Sequence, residues 1–204
     1  GADPGAITVL RPGVDRPRLP PAPETPPLIL SVGILHPRKG HDILIEALSR
    51  LADLDWQAVI VGNPWDQSHA AALDRQRAAS PVARRIRLAG RVPGDELETL
   101  YSRASVFALA TWYEGHGIVF DEALVRGLPI VTCHAGAVPD TVPQGAGLLV
   151  PPGDAGAFAD ALRRLVGDAD LRRAMADAAL AAGADLPGWQ DMADRAGRVL
   201  SGIA

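Results

Sequence analysis

The chain has 204 residues, 48% of them apolar, and a formal net charge of −4, which suits one globular domain and excludes a disordered chain. The negative charge argues against nucleic acid as a partner, and we expect neither a signal peptide nor a transmembrane segment, since no apolar run is long enough. The single cysteine, Cys133, excludes an internal disulfide framework and a multi-cysteine metal site, and we expect it in the core of a cytoplasmic protein.

The first predicted unit, residues 1–27, is rich in proline and is typical of an inter-domain linker on the protein surface. Within it, residues 7–10 could form a short strand. From residue 28 to residue 204, short apolar runs alternate with helical patterns, which predicts βαβ units and a parallel sheet. The apolar runs are continuous, as expected where both faces of each strand are covered.

These patterns predict a Rossmann-like three-layer α/β/α fold with a parallel sheet of about six strands. The predicted strands are 28–33, 56–62, 86–90, 105–110, 129–133 and 147–150. The predicted helices lie near 41–52, 67–79, 94–103, 117–127 and 154–167, with at most one turn at 135–143, followed by two C-terminal helices within 168–202.

Three predicted strands end in glycine, at Gly33, Gly62 and Gly90. Ligands of open parallel sheets bind outside the carboxyl ends of the strands, and glycine lets the backbone approach a ligand closely. Any one of these glycines is more simply explained as a turn residue. The three together favour a nucleotide-binding crevice.

A pair of cations, Arg38 and Lys39, follows the first core strand and precedes a predicted helix. This position suits a diphosphate, although a solvated pair at a turn is an equal alternative. Lys39 is the only lysine in a chain with 20 basic residues, which suggests that arginine cannot replace it, with chance survival of one lysine as the alternative. The segment is not a P-loop, because lysine here precedes Gly40.

A second candidate segment, residues 112–123, follows the fourth strand and opens a helix. Gly115 and Gly117 would leave backbone N–H groups at the helix N-terminus open to a phosphate. Glu114 and Glu122 could accept hydrogen bonds from paired hydroxyls, such as those of a ribose or a hexose. The alternative for Glu122 is an ordinary glutamate on a helix surface.

In combination, these motifs resemble the C-terminal half of retaining glycosyltransferases of family 4, which have the GT-B fold. The family shows a Lys-Gly pair after a strand-end glycine, two glutamates around Gly-x-Gly, Gly-x-Pro before a strand, and a Gly-Leu-Leu-Val-Pro-Pro-Gly-Asp segment. The matching residues are Gly33, Lys39-Gly40, Glu114, Glu122, Gly127-Leu128-Pro129 and 147–154, and Pro12 to Asp15 resembles the segment that joins the two domains. The likeness covers nearly the whole chain.

The resemblance implies a role for each matching residue in binding a nucleotide-sugar donor. Lys39, assisted by Arg38, would meet the diphosphate, and Glu114 would face the donor sugar, so Lys39 and Glu114 are the candidate catalytic residues. Glu122 would hold the ribose hydroxyls. The remaining predicted donor contacts are Gly33 beside the phosphates, Arg91 and Val92 at the nucleobase, and His116, Gly117 and Ile118 at the sugar or phosphate.

Two positions depart from the family pattern. Many members have arginine directly after the strand-end glycine, where this chain has Ile34, so Arg38 would have to supply the second charge. His116 stands where the family usually has an aromatic residue. We expect it to pack or to contact the sugar rather than to act as an acid or base.

The resemblance also implies which substrates and partners the chain has. The donor would be a nucleotide-sugar such as a UDP- or GDP-sugar, with no cofactor and no metal. The acceptor would bind to an N-terminal domain that is absent here, so this chain would be one half of a GT-B fold and would bind donor without efficient turnover. In the full-length protein, that domain could bring the enzyme to the inner face of the cytoplasmic membrane for polysaccharide biosynthesis. The last helix would leave an apolar face exposed.

Three other functions are compatible with parts of this pattern. A non-catalytic nucleotide-binding module would be favoured if the phosphate site beside Ile34 proves empty. A dinucleotide-dependent oxidoreductase is disfavoured because no Gly-x-Gly-x-x-Gly follows the first strand. A related epimerase or phosphorylase would share the architecture, but the spacing of Glu114 and Glu122 favours the transferase.

Overall fold

The computed structural model describes residues 7–202, in which six strands form a single parallel sheet. The strands are β1 Leu28–Val32, β2 Gln57–Val61, β3 Ile86–Gly90, β4 Val106–Leu109, β5 Ile130–Cys133 and β6 Gly147–Val150. Their order across the sheet is β3-β2-β1-β4-β5-β6. The predicted Rossmann-like architecture is therefore confirmed, with each strand within two residues of its predicted bounds.

Helices connect the strands and cover both faces of the sheet. They are α1 His41–Ser49, α2 Gln67–Ala79, α3 Gly94–Arg103, α4 Ile118–Leu124, α5 Val138–Thr141, α6 Ala155–Gly167, α7 Ala169–Ala184 and α8 Trp189–Ser201. Short 3₁₀ turns at Pro37–Lys39 and Ala83–Arg85 precede α1 and β3. None of the helices within residues 7–202 is both long and apolar enough to cross a membrane.

Alternation along each strand divides the core into two layers. In β1, Ile29 packs with α1, α2 and α6 on one face, whereas Leu28 and Leu30 pack with α3, α4 and α7 on the other. All three side chains are buried because both faces are covered. This arrangement explains why the strands read as continuous apolar runs. Cys133 is fully buried in the core as expected, and burial raises the pKa of its thiol to about 11.

The strand order places a crevice at the carboxyl end of the sheet. β1 lies between β2 and β4. The loop after β1 leads to α1 on one face of the sheet, and the loop after β4 leads to α4 on the opposite face. Where neighbouring strands send their connections to opposite faces, the loops separate and leave room for a ligand.

The proline-rich segment is attached to the domain more closely than the sequence predicts. The N–H groups of Ala22 and Glu24 donate to the carbonyls of Ser102 and Arg103 at the end of α3, where helical carbonyls lack partners. Nearer the start of this segment, Gly13 lies so close to the backbone of Trp189 that an added Cβ would overlap it. The segment lies on the surface but is docked to it.

One prediction within this segment is wrong. Residues 7–10 form no strand, and the side chains of Ile7 and Val9 are exposed. Three of these four residues are apolar, but no strand of the sheet pairs with them. Residues 1–6 of the predicted linker lie outside the described part of the chain.

The last helix leaves apolar side chains exposed, as expected. No residue described in α8 is buried, and Trp189 and Leu200 are 44% and 69% exposed. The chain just before α8 is bonded to the proline-rich segment, because the Val14 N–H donates to the Pro187 carbonyl.

A buried histidine at the start of α1 makes stability depend on pH. Neither ring nitrogen of His41 has a hydrogen-bond partner among the described residues. Burial, with smaller contributions from Lys39 and His69, lowers its pKa from 6.5 to about 3. Between these two pH values the unfolded chain binds a proton at His41 and the folded chain does not. The free energy of unfolding is therefore highest, as far as His41 affects it, above about pH 6.5, and it decreases as the pH falls toward 3.

We therefore expect the free energy of unfolding to fall by a few kcal/mol on acidification through this range, at about 1.4 kcal/mol per unit of pKa shift. The variant His41→Leu should lose most of this slope in urea unfolding at a series of pH values. The exposed His134 offers the control variant His134→Leu, which should keep the slope. Equal slopes in wild type and His41→Leu would contradict the assignment.

Candidate functional site

The loop after β1 reaches the end of β4 at Gly40, a position where a side chain would overlap the neighbouring backbone. Gly40 has φ of 63° and ends the 3₁₀ turn at Pro37–Lys39. A Cβ added there would overlap the carbonyl oxygen of Ala110, directly after β4. Within the turn, His36 Nδ1 accepts a hydrogen bond from the Arg38 N–H at 3.0 Å. The loop is thus fixed with Lys39 against the β4 side of the crevice.

Lys39 and Glu114 form a buried ion pair across the crevice. Lys39 Nζ lies 2.6 Å from Glu114 Oε1, and the two side chains are 11% and 6% exposed. The Thr111 hydroxyl lies 3.0 Å from the same carboxylate oxygen. Such a pair holds its geometry, because removing one partner would leave an uncompensated buried charge. The sequence predicted both residues as site residues but not their direct contact.

Glu114 is also fixed through its backbone. Its carbonyl accepts a hydrogen bond from the Ala137 N–H at 2.9 Å. A Cβ on Gly136, which has φ of 57°, would overlap that same carbonyl oxygen. The turn at Gly136, after β5, therefore packs directly on the backbone of Glu114 and helps to hold that backbone in place.

His116 is held by the helix that follows it. Its Nε2 lies 2.6 Å from Oδ2 of Asp121, whose side chain is 4% exposed. The Thr141 hydroxyl donates to the His116 carbonyl at 2.8 Å. Gly117, with φ of 82°, then starts α4. The ring is therefore anchored to α4. The sequence did not predict this partner, although an aspartate in the first turn of the helix that follows His116 is a possible signal for it.

Glu122 is half-buried on α4 and is not an ordinary surface glutamate. The Tyr101 hydroxyl donates to Glu122 Oε2 at 2.8 Å. Burial raises the pKa of Glu122, since desolvation disfavours the charged carboxylate. Burial and the nearby carboxylate also raise the pKa of Tyr101 well above 10, so the phenol stays a donor. Tyr101, like Asp121, was not among the residues that the sequence predicted for the site.

The other predicted site residues line the same edge of the sheet. Arg38 Nη1 donates to the Tyr113 carbonyl at 3.3 Å. The side chain of Lys39 passes over Gly33, where an added Cβ would lie 3.6 Å from Lys39 Cδ. Ile34 and Ile118 are each more than one third exposed.

Arg91 and Val92 follow β3, two strands away from β1. Arg91 is exposed and Val92 is half-buried. The structure brings Lys39 and Glu114 into direct contact, but it records no hydrogen bond between either of them and Arg91, Val92 or Glu122.

Charge is distributed unevenly over the site. Lys39 and Arg38 lie on the β1 side, and the two glutamates lie on the β4 and α4 side. Among residues 7–202, no group of three or more histidine, cysteine, aspartate or glutamate side chains is placed to hold a metal ion. The arrangement offers cationic donors to an anion and carboxylate acceptors to hydroxyl groups.

Comparison with known proteins points to one family. The family model described as "Glycosyl transferases group 1" matches residues 17–181. A D-inositol 3-phosphate glycosyltransferase of Corynebacterium efficiens is 32% identical over 191 residues, which cover 84% of this chain and 45% of the relative. A GDP-mannose-dependent alpha-(1-6)-phosphatidylinositol monomannoside mannosyltransferase of Mycolicibacterium smegmatis is 32% identical over 211 residues, covering 91% and 53%.

A solved structure agrees with these relatives. The sucrose-phosphate synthase of Thermosynechococcus elongatus superposes with a TM-score of 0.79 at 28% identity, over 89% of this chain and 46% of that chain. The chain thus spans about half the length of the relatives it matches.

The close approach at Gly40 generates a stability prediction. We expect Gly40→Ala to destabilise the chain by about 1–3 kcal/mol, because it adds both a left-handed alanine and an overlap with Ala110. The matched control is Gly94→Ala, where an added Cβ meets nothing within 4 Å. Thermal unfolding of both variants checks this, and a Gly40→Ala variant as stable as Gly94→Ala would refute the close approach.

Proposed function

The chain belongs to the group 1 glycosyltransferases, and we propose that it is the donor-binding domain of a retaining enzyme of this family. It would bind a nucleotide-sugar whose hexosyl group passes to a hydroxyl of a glycan or another acceptor. The observation that carries this proposal is the buried pair of Lys39 and Glu114 at the point where the strand order reverses.

The diphosphate of the donor would lie on Lys39. Its ammonium group donates one hydrogen bond to Glu114, which leaves two N–H donors for phosphate oxygens. Arg38 lies next to it on the same turn, with a guanidinium that engages the Tyr113 carbonyl through one nitrogen only. Each hydrogen bond to a charged group is worth about 1.5–3 kcal/mol.

The ribose would lie on Glu122. Oε2 of this carboxylate is occupied by Tyr101, whereas Oε1 accepts no hydrogen bond from the described residues. One free carboxylate oxygen can accept from one or both hydroxyls of a ribose. We propose that Arg91 and Val92 face the base, and that the backbone of Gly117 and Ile118 meets the phosphate or sugar.

Fixed cations would also assist the chemistry. In transfer, the bond between the anomeric carbon and the phosphate oxygen breaks, and negative charge develops on the leaving diphosphate. The acceptor oxygen bonds to that carbon and its proton is released. Lys39 and Arg38 are already held in place, so they would stabilise the developing charge without reorganisation. We propose that they take the role that a metal ion has in other transferases.

The acceptor is proposed to bind to a second domain. Alignment of two substrates and exclusion of water require a cleft with two walls, and this chain spans about half the length of its relatives. We therefore propose that the chain by itself is an incomplete catalytic unit that binds donor. Synthesis of a glycan or polysaccharide, on the cytoplasmic side of a membrane, fits such a transferase.

A second candidate is a nucleotide-binding module without transferase activity. Ile34 favours it, because an exposed apolar side chain stands where a second phosphate-binding charge was expected. The two candidates differ in whether the diphosphate site is occupied.

Donor binding provides the main test. In calorimetry with UDP-, GDP- and ADP-sugars, we expect one donor class to bind, and Glu122→Gln and the pair Lys39→Met/Glu114→Gln each to weaken it about 10- to 100-fold. The double variant leaves no buried unpaired charge. Arg163→Met, which breaks an exposed ion pair with Asp53, is the control and should bind as wild type does. Absence of binding by every donor would favour the second candidate.

Turnover provides a separate test. With UDP-glucose or GDP-mannose and simple glycoside acceptors, we expect the isolated chain to release nucleoside diphosphate no faster than a Lys39→Met/Glu114→Gln control. Rapid transfer by the isolated chain would show that it is a complete catalytic unit after all.

A further inference from the structure

A series of contacts links Glu122 to Arg126 and Glu98, two residues outside the ion pair of Lys39 and Glu114. Arg126 Nη2 donates to Glu98 Oε2 at 2.7 Å, and the two side chains are 11% and 8% exposed. Arg126 lies four residues after Glu122, just beyond the end of α4, and its Nη1 donates to the Glu122 carbonyl at 3.0 Å. Arg126 therefore contacts Glu122 and Glu98 at once.

Tyr101 contacts both Arg126 and Glu122. The Arg126 guanidinium carbon lies 4.5 Å from the centre of the Tyr101 ring, a distance at which the cation is attracted to the ring face. The hydroxyl of the same ring donates to Glu122 Oε2. The guanidinium thus fixes the backbone of Glu122 directly and its carboxylate through Tyr101.

Glu98 is held at its other oxygen by the segment that precedes β1. Its Oε1 accepts hydrogen bonds from the backbone N–H groups of Arg18 at 2.6 Å and Leu19 at 3.2 Å. Burial by itself would raise the pKa of Glu98, but the bonds from Arg126, Arg18 and Leu19 together lower it. Glu98 is therefore a carboxylate, and both of its oxygens are occupied.

The segment before β1 that holds Glu98 is itself bonded to the end of α7. Arg16 donates from Nη1 to the Gly183 carbonyl and from Nη2 to the Leu186 carbonyl, both at 2.7 Å, at the end of α7. Arg16 and Arg18 also line a cavity of about 430 Å³ into which Glu122 and Tyr101 open. The segment is thus a wall of the space beside Glu122.

We propose that Glu98, Arg126 and Tyr101 are positioning residues for Glu122, and that the segment of Arg16 to Leu19 completes their network. The proposal rests on the assignment of Glu122 to the ribose under the proposed function. Neutral Tyr101 and a fixed guanidinium orient the Glu122 carboxylate, so that Oε1 faces the ribose hydroxyls. Loss of either would leave affinity for the rest of the nucleotide in place and remove the preference for those hydroxyls.

The experiment compares nucleotides that differ only in the ribose. Wild type is titrated with UDP and GDP and with the 2′-deoxy and 3′-deoxy form of each. We expect the ribose form of the bound nucleotide to bind about tenfold or more tightly than a deoxy form. In Tyr101→Phe, which keeps the ring and the fold, this ratio should fall toward one while the affinity for the deoxy form changes less than about twofold.

Arg126 is tested in the same way. Arg126→Met would leave Glu98 buried without its cation, so the double variant Glu98→Gln/Arg126→Met is made beside it. We expect both to behave as Tyr101→Phe does. Arg163→Met, at the exposed ion pair with Asp53, should keep the wild-type ratio.

Each result decides between the two assignments. A wild-type ratio near one means that Glu122 does not hold the ribose, which overturns that part of the proposed function and the positioning role with it. A high wild-type ratio that persists in the folded variants overturns the positioning role alone. Equal losses for ribose and deoxy forms do so too, because they indicate a merely structural contribution.

Discussion

The ion pair of Lys39 and Glu114 is the contact on which the site depends, because it joins two loops that leave the sheet toward opposite faces. Both side chains are almost fully buried, so each charge compensates the other in surroundings where a lone charge would be costly. The pair requires close approach of the two loops, which Gly40 and Gly136 permit on either side. Local backbone geometry and long-range electrostatics therefore support the same arrangement.

The two glutamates of the site have opposite environments. Glu114 faces a cation, whereas Glu122 receives its hydrogen bond from a neutral phenol and has its pKa raised by burial. A carboxylate that already balances a charge contributes to geometry, while one with a free oxygen is available to hydroxyl groups. Their spacing in the sequence does not reveal this difference in environment.

The sequence predicted the sheet well, because continuous apolar runs and their terminal glycines depend on local chemistry. It suggested candidate residues for the site, but not how they are joined. Lys39 and Glu114 are 75 positions apart, and their contact depends on β4 lying beside β1, which no local pattern encodes. Composition predicted a surface linker but not its attachment: the N–H groups between the prolines pair with the carbonyls that end α3.

The contacts that bring Gly13 and Arg16 to the region before and at the start of α8 give the domain one further property. Residues 13–16 and 183–189 meet at the same corner, through the Gly13–Trp189 approach and the bonds of Arg16 to Gly183 and Leu186. Force applied through these two parts would load this small cluster of contacts first. The strands lie outside the path of that force, so pulling on these two parts would load these contacts before it reached the sheet and the crevice at its edge.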